Sequence, residues 1–250
     1  MKRREFLTTT AGIAAVTAST AATMSLTHAA STEEMSAMQR PGSHAESLDA
    51  PAGRKVRALF AIADSAEVID FAGPWEVFNN VHVHDRGPTM DEMMPFELST
   101  VAATLDPIKA SGGLQIIPDF TVENAPTPDL VIVPALRGNP ALLEWLASVA
   151  PKTDVTMSVC TGAFQLAEAG LLDGLVATTH HSFYESFAKE YPQVKLERDV
   201  RFVENRRIST AGGLMSGIDL ALRVVDRYFG RKVAQQTADH MEYSSTDWRV

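Results

Sequence analysis

Residues 154–170 read DVTMSVCTGAFQLAEAG and place a single cysteine between two different structural patterns. We interpret residues 154–159 as a short buried strand of a parallel sheet. The apolar spacing after Cys160 predicts a helix over 161–169, and Gly170 ends that helix. The segment therefore predicts a strand that runs directly into Cys160 and then into a helix.

A residue at such a junction occupies a special position in an open α/β fold. It lies at the carboxyl edge of the sheet, where these folds bind ligands. The sharp turn exposes its side chain, as in the nucleophile elbow of hydrolases. The helix N-terminus favours the thiolate, so we expect a lowered pKa for Cys160. The alternative is a small buried hydrophobic residue, since free cysteine is often fully buried.

Strand and helix signals alternate on both sides of this segment, as in a parallel sheet covered on both faces. Strands are predicted at 55–62, 96–102, 129–134 and 154–159. Helices are predicted from Gly73, with Pro74 as the first helical residue, and over 139–149, 216–230 and 233–240. A small hairpin at 111–119, a polar helix ending near 191 and a hairpin-like pair around 204–205 complete the prediction.

Residues 1–29 differ in composition from the rest of the chain. Arg3 and Arg4 precede Phe6-Leu7 and a weakly apolar stretch, which is the twin-arginine pattern of a signal peptide. Cleavage is predicted near Ala29, and the protein is then expected to be exported to the periplasm. The alternative is a basic helix that is retained in the cytoplasm. Residues 30–53 are predicted to be a flexible linker, and residues 54–250 a single folded domain.

Charge and cysteine content exclude some functions. The 250 residues carry a formal net charge of −9, and without residues 1–29, which hold three basic residues and one acidic residue, the charge is −11. We therefore expect no nucleic-acid partner, and no membrane partner after signal removal. One cysteine cannot form an internal disulfide bond. His82, His84 and Asp85 lack a second cluster with ligand spacing, so neither a metal nor any other cofactor is predicted.

Four ordered motifs resemble a known family. They are IDFAGPWEVF at 69–78, DLVIVP at 129–134, SVCTGAFQLAEAGLLDG at 158–174 followed by ATTH at 177–180, and STAGGLMSGIDLAL at 209–222. Together they resemble the ThiJ/PfpI superfamily, in its isonitrile hydratase-like branch, over nearly all of residues 55–243. The resemblance implies a flavodoxin-like three-layer α/β sandwich with a mainly parallel sheet and a nucleophile elbow at Cys160.

The resemblance also implies roles for individual residues. Cys160 matches the nucleophile, Asp70 the acid that lies close to it, and Thr161 the residue that completes the site. A carboxyl group beside a thiolate in a partly dry pocket has a raised pKa and can donate a proton. The alternatives are a turn or cap role for Asp70 before Gly73 and Pro74, and plain helix capping for Thr161.

Other positions are expected to line the site, and two of them depart from the branch. His180 stands where several members have a histidine near the cysteine, and Gly73 belongs to the Asp70 motif. His181 replaces an aromatic residue that the branch often has. Ala135 and Leu136 replace two glycines in a loop whose backbone N–H commonly helps to form the oxyanion site, so Leu136 is expected to reshape the pocket.

The resemblance leaves three functions open. The first is hydration of a small carbon–nitrogen electrophile, with isonitrile as the precedent. The second is glyoxalase, deglycase or amidase-like chemistry on carbonyl carbons; the peptidase-like branch usually has histidine after the cysteine, where this chain has Thr161. The third is a ligand- or redox-sensing domain of the cell envelope, related to AraC-type regulators but without a helix-turn-helix. A small-molecule substrate and a homodimer are expected in the enzymatic cases.

Overall fold

The computed structural model describes residues 46–250. The predicted signal peptide and most of the predicted linker lie outside the described residues. In chain order the described strands are β1 (Val56–Ala61), β2 (Phe96–Ala102), β3 (Ile108–Lys109), β4 (Gln115–Ile116), β5 (Phe120–Thr121), β6 (Leu130–Val133), β7 (Val155–Val159), β8 (Val176–Ala177), β9 (Lys195–Leu196), β10 (Phe202–Glu204) and β11 (Ile208–Ala211).

Seven of these strands form one sheet in the order β10-β11-β7-β6-β1-β2-β5. All neighbours in it are parallel except β10 and β11, which form an antiparallel hairpin at one edge. The pairs β3 with β4 and β8 with β9 form two small separate sheets. The mainly parallel sheet of the predicted α/β fold is thereby confirmed.

Helices cover the sheet on both faces. They are α1 (Val68–Asn79), α2 (Met90–Met93), α3 (Pro140–Val149), α4 (Gly162–Glu168), α5 (Tyr184–Glu190), α6 (Ser216–Phe229) and α7 (Arg231–His240). Side chains of α1, α6 and α7 belong to one apolar core, and side chains of α3, α4 and α5 belong to a second. The result is a three-layer sandwich.

Strand β1 shows how the sheet separates the two cores. Ala58 and Phe60 point into the core with α1 and α6, whereas Leu59 and Ala61 point into the core with α3 and α4. Successive residues of a strand face opposite sides of the sheet, and both sides are apolar here. This is why the central strands are continuous apolar runs rather than alternating ones.

The first helix starts earlier than predicted. It begins at Val68, so Pro74 lies inside it and not at its first position. Its N-cap residue, Glu67, makes no side-chain capping hydrogen bond, so the sequence carries no capping signal there. Because the helix begins at Val68, Asp70 lies in the first turn of α1.

Residues 46–53 lie against the domain. The Leu48 N–H donates to the Arg227 carbonyl oxygen (2.8 Å), and the Arg227 guanidinium donates to the Glu46 carbonyl oxygen (3.0 Å). Leu48 and Ala50 pack on the core that contains α6. Over residues 46–250, no helix has both the length and the apolar character that crossing a bilayer requires.

Candidate active site

Cys160 lies at the turn between β7 and α4, as the sequence predicted. Its backbone has a φ of +58°, the left-handed region that residues other than glycine rarely adopt. The Cys160 N–H donates to the Gly212 carbonyl oxygen (2.8 Å), and the Cys160 carbonyl oxygen accepts from the Thr179 hydroxyl (2.9 Å). These bonds hold the residue in its strained conformation, with only 7% of its surface exposed.

The glycine after the elbow lets the helix approach the sheet. A Cβ atom on Gly162 would lie 2.1 Å from the Val133 carbonyl oxygen and 2.8 Å from that of Pro134. Both are backbone atoms at the end of β6, so they cannot move aside as a side chain can. Gly162 therefore fixes how α4, and with it Cys160, sits over the sheet.

Asp70 lies beside Cys160, and its side chain is fully buried. Its Oδ2 accepts a hydrogen bond from the Ala135 N–H (3.1 Å). Among the described residues its Oδ1 has no hydrogen-bond partner of normal geometry, although the Cys160 thiol is close enough to interact with the carboxyl. The predicted pair of Asp70 and Cys160 is thus brought together, and Asp70 is neither a turn nor a cap residue.

Burial raises the pKa of Asp70 from 3.8 to about 7. The Ala135 N–H opposes this shift because it favours the charged carboxylate, whereas the negative charge of Glu67 adds to it. The Cys160 thiol, as a weak hydrogen-bond donor to the carboxylate, lowers the pKa of Asp70 slightly. Asp70 can therefore hold or release a proton near neutral pH.

The expectation of a lowered pKa for Cys160 is wrong for the unliganded protein. Burial and the nearby Asp70 charge raise the pKa of the thiol to about 11. The N–H groups of Thr161 and Leu214 act in the opposite direction but do not outweigh desolvation. The resting cysteine is therefore a thiol, and it needs a proton acceptor to become a nucleophile.

The two N–H groups at the sulfur come from different segments. Thr161 follows the elbow directly, whereas Leu214 lies in the loop between β11 and α6 and has a φ of +49°. Leu214 was not predicted from the sequence, where the only local signal was the pair Gly212-Gly213 before it. Together the two N–H groups can stabilise negative charge on the sulfur.

Thr161 contributes its backbone rather than a cap. It is the N-cap residue of α4, but its side chain makes no capping hydrogen bond. The capping alternative is therefore wrong, and the observed contact is the N–H that points to the Cys160 sulfur.

The loop after β6 contributes to the environment of the acid. The Ala135 N–H is bonded to Asp70, and Leu136 is half-buried against both apolar cores. Gly73 lies at the contact of α1 with α6, where an added Cβ would be 3.0 Å from Ile218 Cγ1. Gly73 therefore occupies a helix-packing position.

A groove with a volume of about 500 Å³ opens next to the elbow. It is lined by Thr179, His180, His181, Tyr184, Asp199, Val200, Arg201, Gly212, Gly213, Leu214, Met215 and Ser216. Three of these residues, Thr179, Gly212 and Leu214, also contact Cys160 through the interactions described above. The groove therefore lies beside the elbow, and Cys160 itself is not among its lining residues.

His180 forms one wall of this groove. Its Nδ1 accepts a hydrogen bond from the Ser182 N–H (3.2 Å), which fixes the tautomer with the proton on Nε2. Burial, followed by the charge of His181, lowers the pKa of His180. Its ring covers Gly213, where an added Cβ would lie 2.4 Å from the ring. His181 stacks on it at 4.3 Å between ring centroids.

Arg201 also lines the groove, and a buried carboxylate holds its guanidinium. Its Nε donates to Asp219 Oδ2 (2.7 Å), and Asp219 is fully buried. The other carboxylate oxygen of Asp219 accepts from Tyr243 (3.1 Å) and Ser245 (2.9 Å). The guanidinium is thus fixed in place before any ligand binds.

The described residues contain no cluster of three or more His, Cys, Asp or Glu side chains that could hold a metal ion. His82 instead faces His240, with ring centroids 5.9 Å apart.

The chain is similar in sequence to a known family and to several of its members. The model of the DJ-1/PfpI family matches residues 56–227. The isonitrile hydratase of Pseudomonas putida is 29% identical over 191 residues, which are 74% of this chain and 77% of that enzyme. The HTH-type transcriptional regulator CdhR of Pseudomonas aeruginosa is 36% identical over 139 residues, 53% of this chain but only 41% of the regulator.

Among solved structures, a ThiJ/PfpI family protein from Pseudomonas syringae superposes with a TM-score of 0.66 at 24% identity. The match covers 76% of both chains. At this identity the likeness supports the fold.

Proposed function

Because the chain belongs to the DJ-1/PfpI family, we propose that it is a cysteine-dependent hydratase of small carbon–nitrogen electrophiles, with an isonitrile as the test substrate. Cys160 is the nucleophile and Asp70 moves the protons. The similarity to an isonitrile hydratase supports this reaction.

The observation that carries the proposal is the buried pair of Asp70 and Cys160. A carboxyl with a pKa of about 7 beside a thiol with a pKa of about 11 holds one proton between them above pH 7, and that proton rests on the sulfur. Transfer of that proton from sulfur to Asp70 produces a thiolate and a proton donor in one step. The N–H groups of Thr161 and Leu214 stabilise the thiolate as it forms.

In the first half of the reaction the thiolate attacks the terminal carbon of the isonitrile. A carbon–sulfur bond forms, and the proton on Asp70 is transferred to the same carbon. The product is a thioimidate in which the substrate carbon is bound to Cys160. Asp70 is then again a carboxylate.

In the second half Asp70 acts as the base. It removes a proton from water, whose oxygen adds to the thioimidate carbon, and it passes that proton to the substrate nitrogen. The carbon–sulfur bond then breaks, and the hydroxyl proton returns to the sulfur. One water has been added in total, and the product is an N-substituted formamide.

The direct test incubates the protein with a small aliphatic and a small aromatic isonitrile and follows the formamide by NMR. We expect Cys160→Ala to abolish turnover and Asp70→Asn to lower kcat at least 100-fold. Asp106→Asn, which changes an exposed acid, is the matched control. Full activity in Cys160→Ala would refute the mechanism.

The pH dependence follows from the same pair. Below pH 7 both groups are protonated and Asp70 cannot accept the thiol proton, so kcat/KM should rise with pH through a midpoint of about 7. Asp70→Asn should lose the plateau above pH 7. Its residual activity depends on the small thiolate fraction of a thiol whose pKa is raised by burial, so that activity should keep rising about tenfold per pH unit between pH 6 and 8. A wild-type rate that falls as pH rises through 7 would contradict the assignment.

A ligand-binding domain without turnover is the second candidate. It is favoured by the similarity to a transcriptional regulator and by the groove beside Cys160. In that case isonitriles and reactive carbonyls such as methylglyoxal would remain unchanged, while a small ligand would raise the Tm. Consumption of methylglyoxal alone would instead favour glyoxalase-like chemistry.

A further inference from the structure

A second carboxyl group lies next to the catalytic pair. Glu67 is the N-cap residue of α1, three positions before Asp70, and residues at this spacing lie on the same side of a helix. The mechanism above does not use Glu67. Its negative charge nevertheless acts on both Asp70 and Cys160.

Hydrogen bonds from another segment hold Glu67 in place. The Ser111 hydroxyl donates to Glu67 Oε1 (3.1 Å), and the same hydroxyl oxygen accepts from the Val68 N–H (3.1 Å). Ser111 is fixed in turn, because its own N–H donates to the Ala66 carbonyl oxygen (2.9 Å). The turn between β3 and β4 therefore anchors the carboxylate.

The backbone connects this anchored carboxylate with Asp70. The Glu67 N–H donates to the Ala135 carbonyl oxygen (2.8 Å), and the Ala135 N–H donates to Asp70 Oδ2 (3.1 Å). Glu67 is half-buried, whereas Asp70 is fully buried. One acid thus keeps contact with water and the other does not, so burial favours the neutral form of Asp70.

We propose that Glu67, anchored by Ser111, is a positioning residue that helps Asp70 to hold the proton that it takes from the Cys160 thiol. The inference rests on the proposed function, because it assigns a purpose to that proton. Among the described residues, the titratable groups that act on the Asp70 carboxyl are Glu67, from the start of the same helix, and Cys160, from the elbow. The loop after β6 contributes an N–H, and α6 contributes the apolar Ile218 beside Gly73.

The test measures the protonation of Asp70 without turnover. Infrared spectroscopy follows the C=O stretch of the protonated carboxyl across pH, and Asp70→Asn identifies its band. Removal of the Glu67 charge should make Asp70 easier to ionise, so Glu67→Gln should lower the midpoint by about 0.5 to 1 pH unit. Glu76→Gln, on the exposed side of the same helix, should leave the midpoint unchanged.

Ser111→Ala tests the anchor separately and remains informative if Glu67→Gln does not fold. It keeps the charge but frees the side chain, so the midpoint should fall by less than in Glu67→Gln. If Glu67→Gln has the same Asp70 midpoint as the wild type, the inference is overturned. If Ser111→Ala has the same midpoint as the wild type, the anchoring by Ser111 is overturned. If no isonitrile is converted, the proposed function fails while the infrared midpoint still decides the role of Glu67.

Discussion

Asp70 is a residue whose ionisation opposes folding. Its folded pKa of about 7 lies above its unfolded value of 3.8, so the folded state binds the proton more tightly. Stability should therefore fall as pH rises from about 4 to 7 and stay reduced above pH 7. The site keeps an acid where a neutral side chain would fit the buried surroundings better.

Asp70→Asn should therefore stabilise the protein at pH 8 while it removes activity. We expect a gain of about 1 to 3 kcal/mol in the free energy of unfolding, less than the pKa difference alone implies because the new amide nitrogen also needs a partner. Below pH 4 the gain should vanish. Urea denaturation at several pH values measures it, and a variant that is less stable than wild type at pH 8 would contradict the burial argument.

At the residue scale the sequence predicted which residues form the site better than it predicted their pKa values. The strand–helix junction singled out Cys160 and the family resemblance singled out Asp70, and the structure brings them together. The pKa of Cys160 was predicted in the wrong direction, because desolvation depends on how deeply the turn is buried. Leu214 and Glu67 were missed, since their proximity to the pair arises only when distant segments pack together.

The elbow belongs to the element scale, because it depends on how α4 approaches β6. Gly162→Ala would place a Cβ 2.1 Å from the Val133 carbonyl oxygen. We expect a loss of at least about 3 kcal/mol in stability, or no folded protein, since backbone has to move. Thermal unfolding checks this. Gly212→Ala meets only ordinary contacts, the nearest at 3.4 Å, and should change stability by less than about 1 kcal/mol.

Strand β10 and helix α6 are joined by buried charges. Glu204 is 6% exposed; its Oε2 accepts from Arg223 Nε (2.8 Å), and its Oε1 lies 3.6 Å from Arg227 Nη1. Arg223 also bonds Asp226 (3.1 Å). Such a network contributes little net stability when complete, but losing one member leaves buried charge without compensation.

Glu204→Gln should therefore destabilise the protein by about 2 to 4 kcal/mol. Glu97→Gln removes the same charge from an exposed pair with Arg57 and should cost less than about 1 kcal/mol. Guanidinium or urea denaturation of both variants gives the comparison. Equal stability of the two variants would show that burial of the network has no energetic consequence.

Elements with strong boundary signals were the ones that the sequence predicted well. Asn139 caps α3 by accepting from the Leu142 N–H (3.0 Å), and Gly170, with a φ of +73°, follows the end of α4. The start of α1 has no side-chain cap, so Pro74 was mistaken for its first residue. Pro74 is the seventh residue of this helix.

At the scale of the whole molecule, alternation of strand and helix signals was enough to predict the α/β sandwich. The strand order was not predictable in the same way, because the apolar runs of β1, β6 and β7 are similar and any of them can occupy the centre. The order is determined by connections and packing over long sequence separations. That order brings the ends of β6, β7 and β11 together around Cys160.

Export is also a property of the whole chain, and it remains our proposal. The twin-arginine pattern lies outside the described residues, so its test is cellular. Replacing both Arg3 and Arg4 by lysine should leave the protein in the cytoplasm, whereas Arg40→Lys should not. Fractionation of the cells with an antibody against the protein measures the distribution, and unchanged export of the double variant would exclude this route.

The left-handed backbone at Cys160 carries an energetic cost for any side chain. With a φ of +58°, position 160 favours glycine over a residue with a side chain by about 1 kcal/mol or more. A residue chosen for stability alone would be glycine. The chain instead places its single cysteine at a position that disfavours it, which supports a chemical role for the sulfur over a packing role.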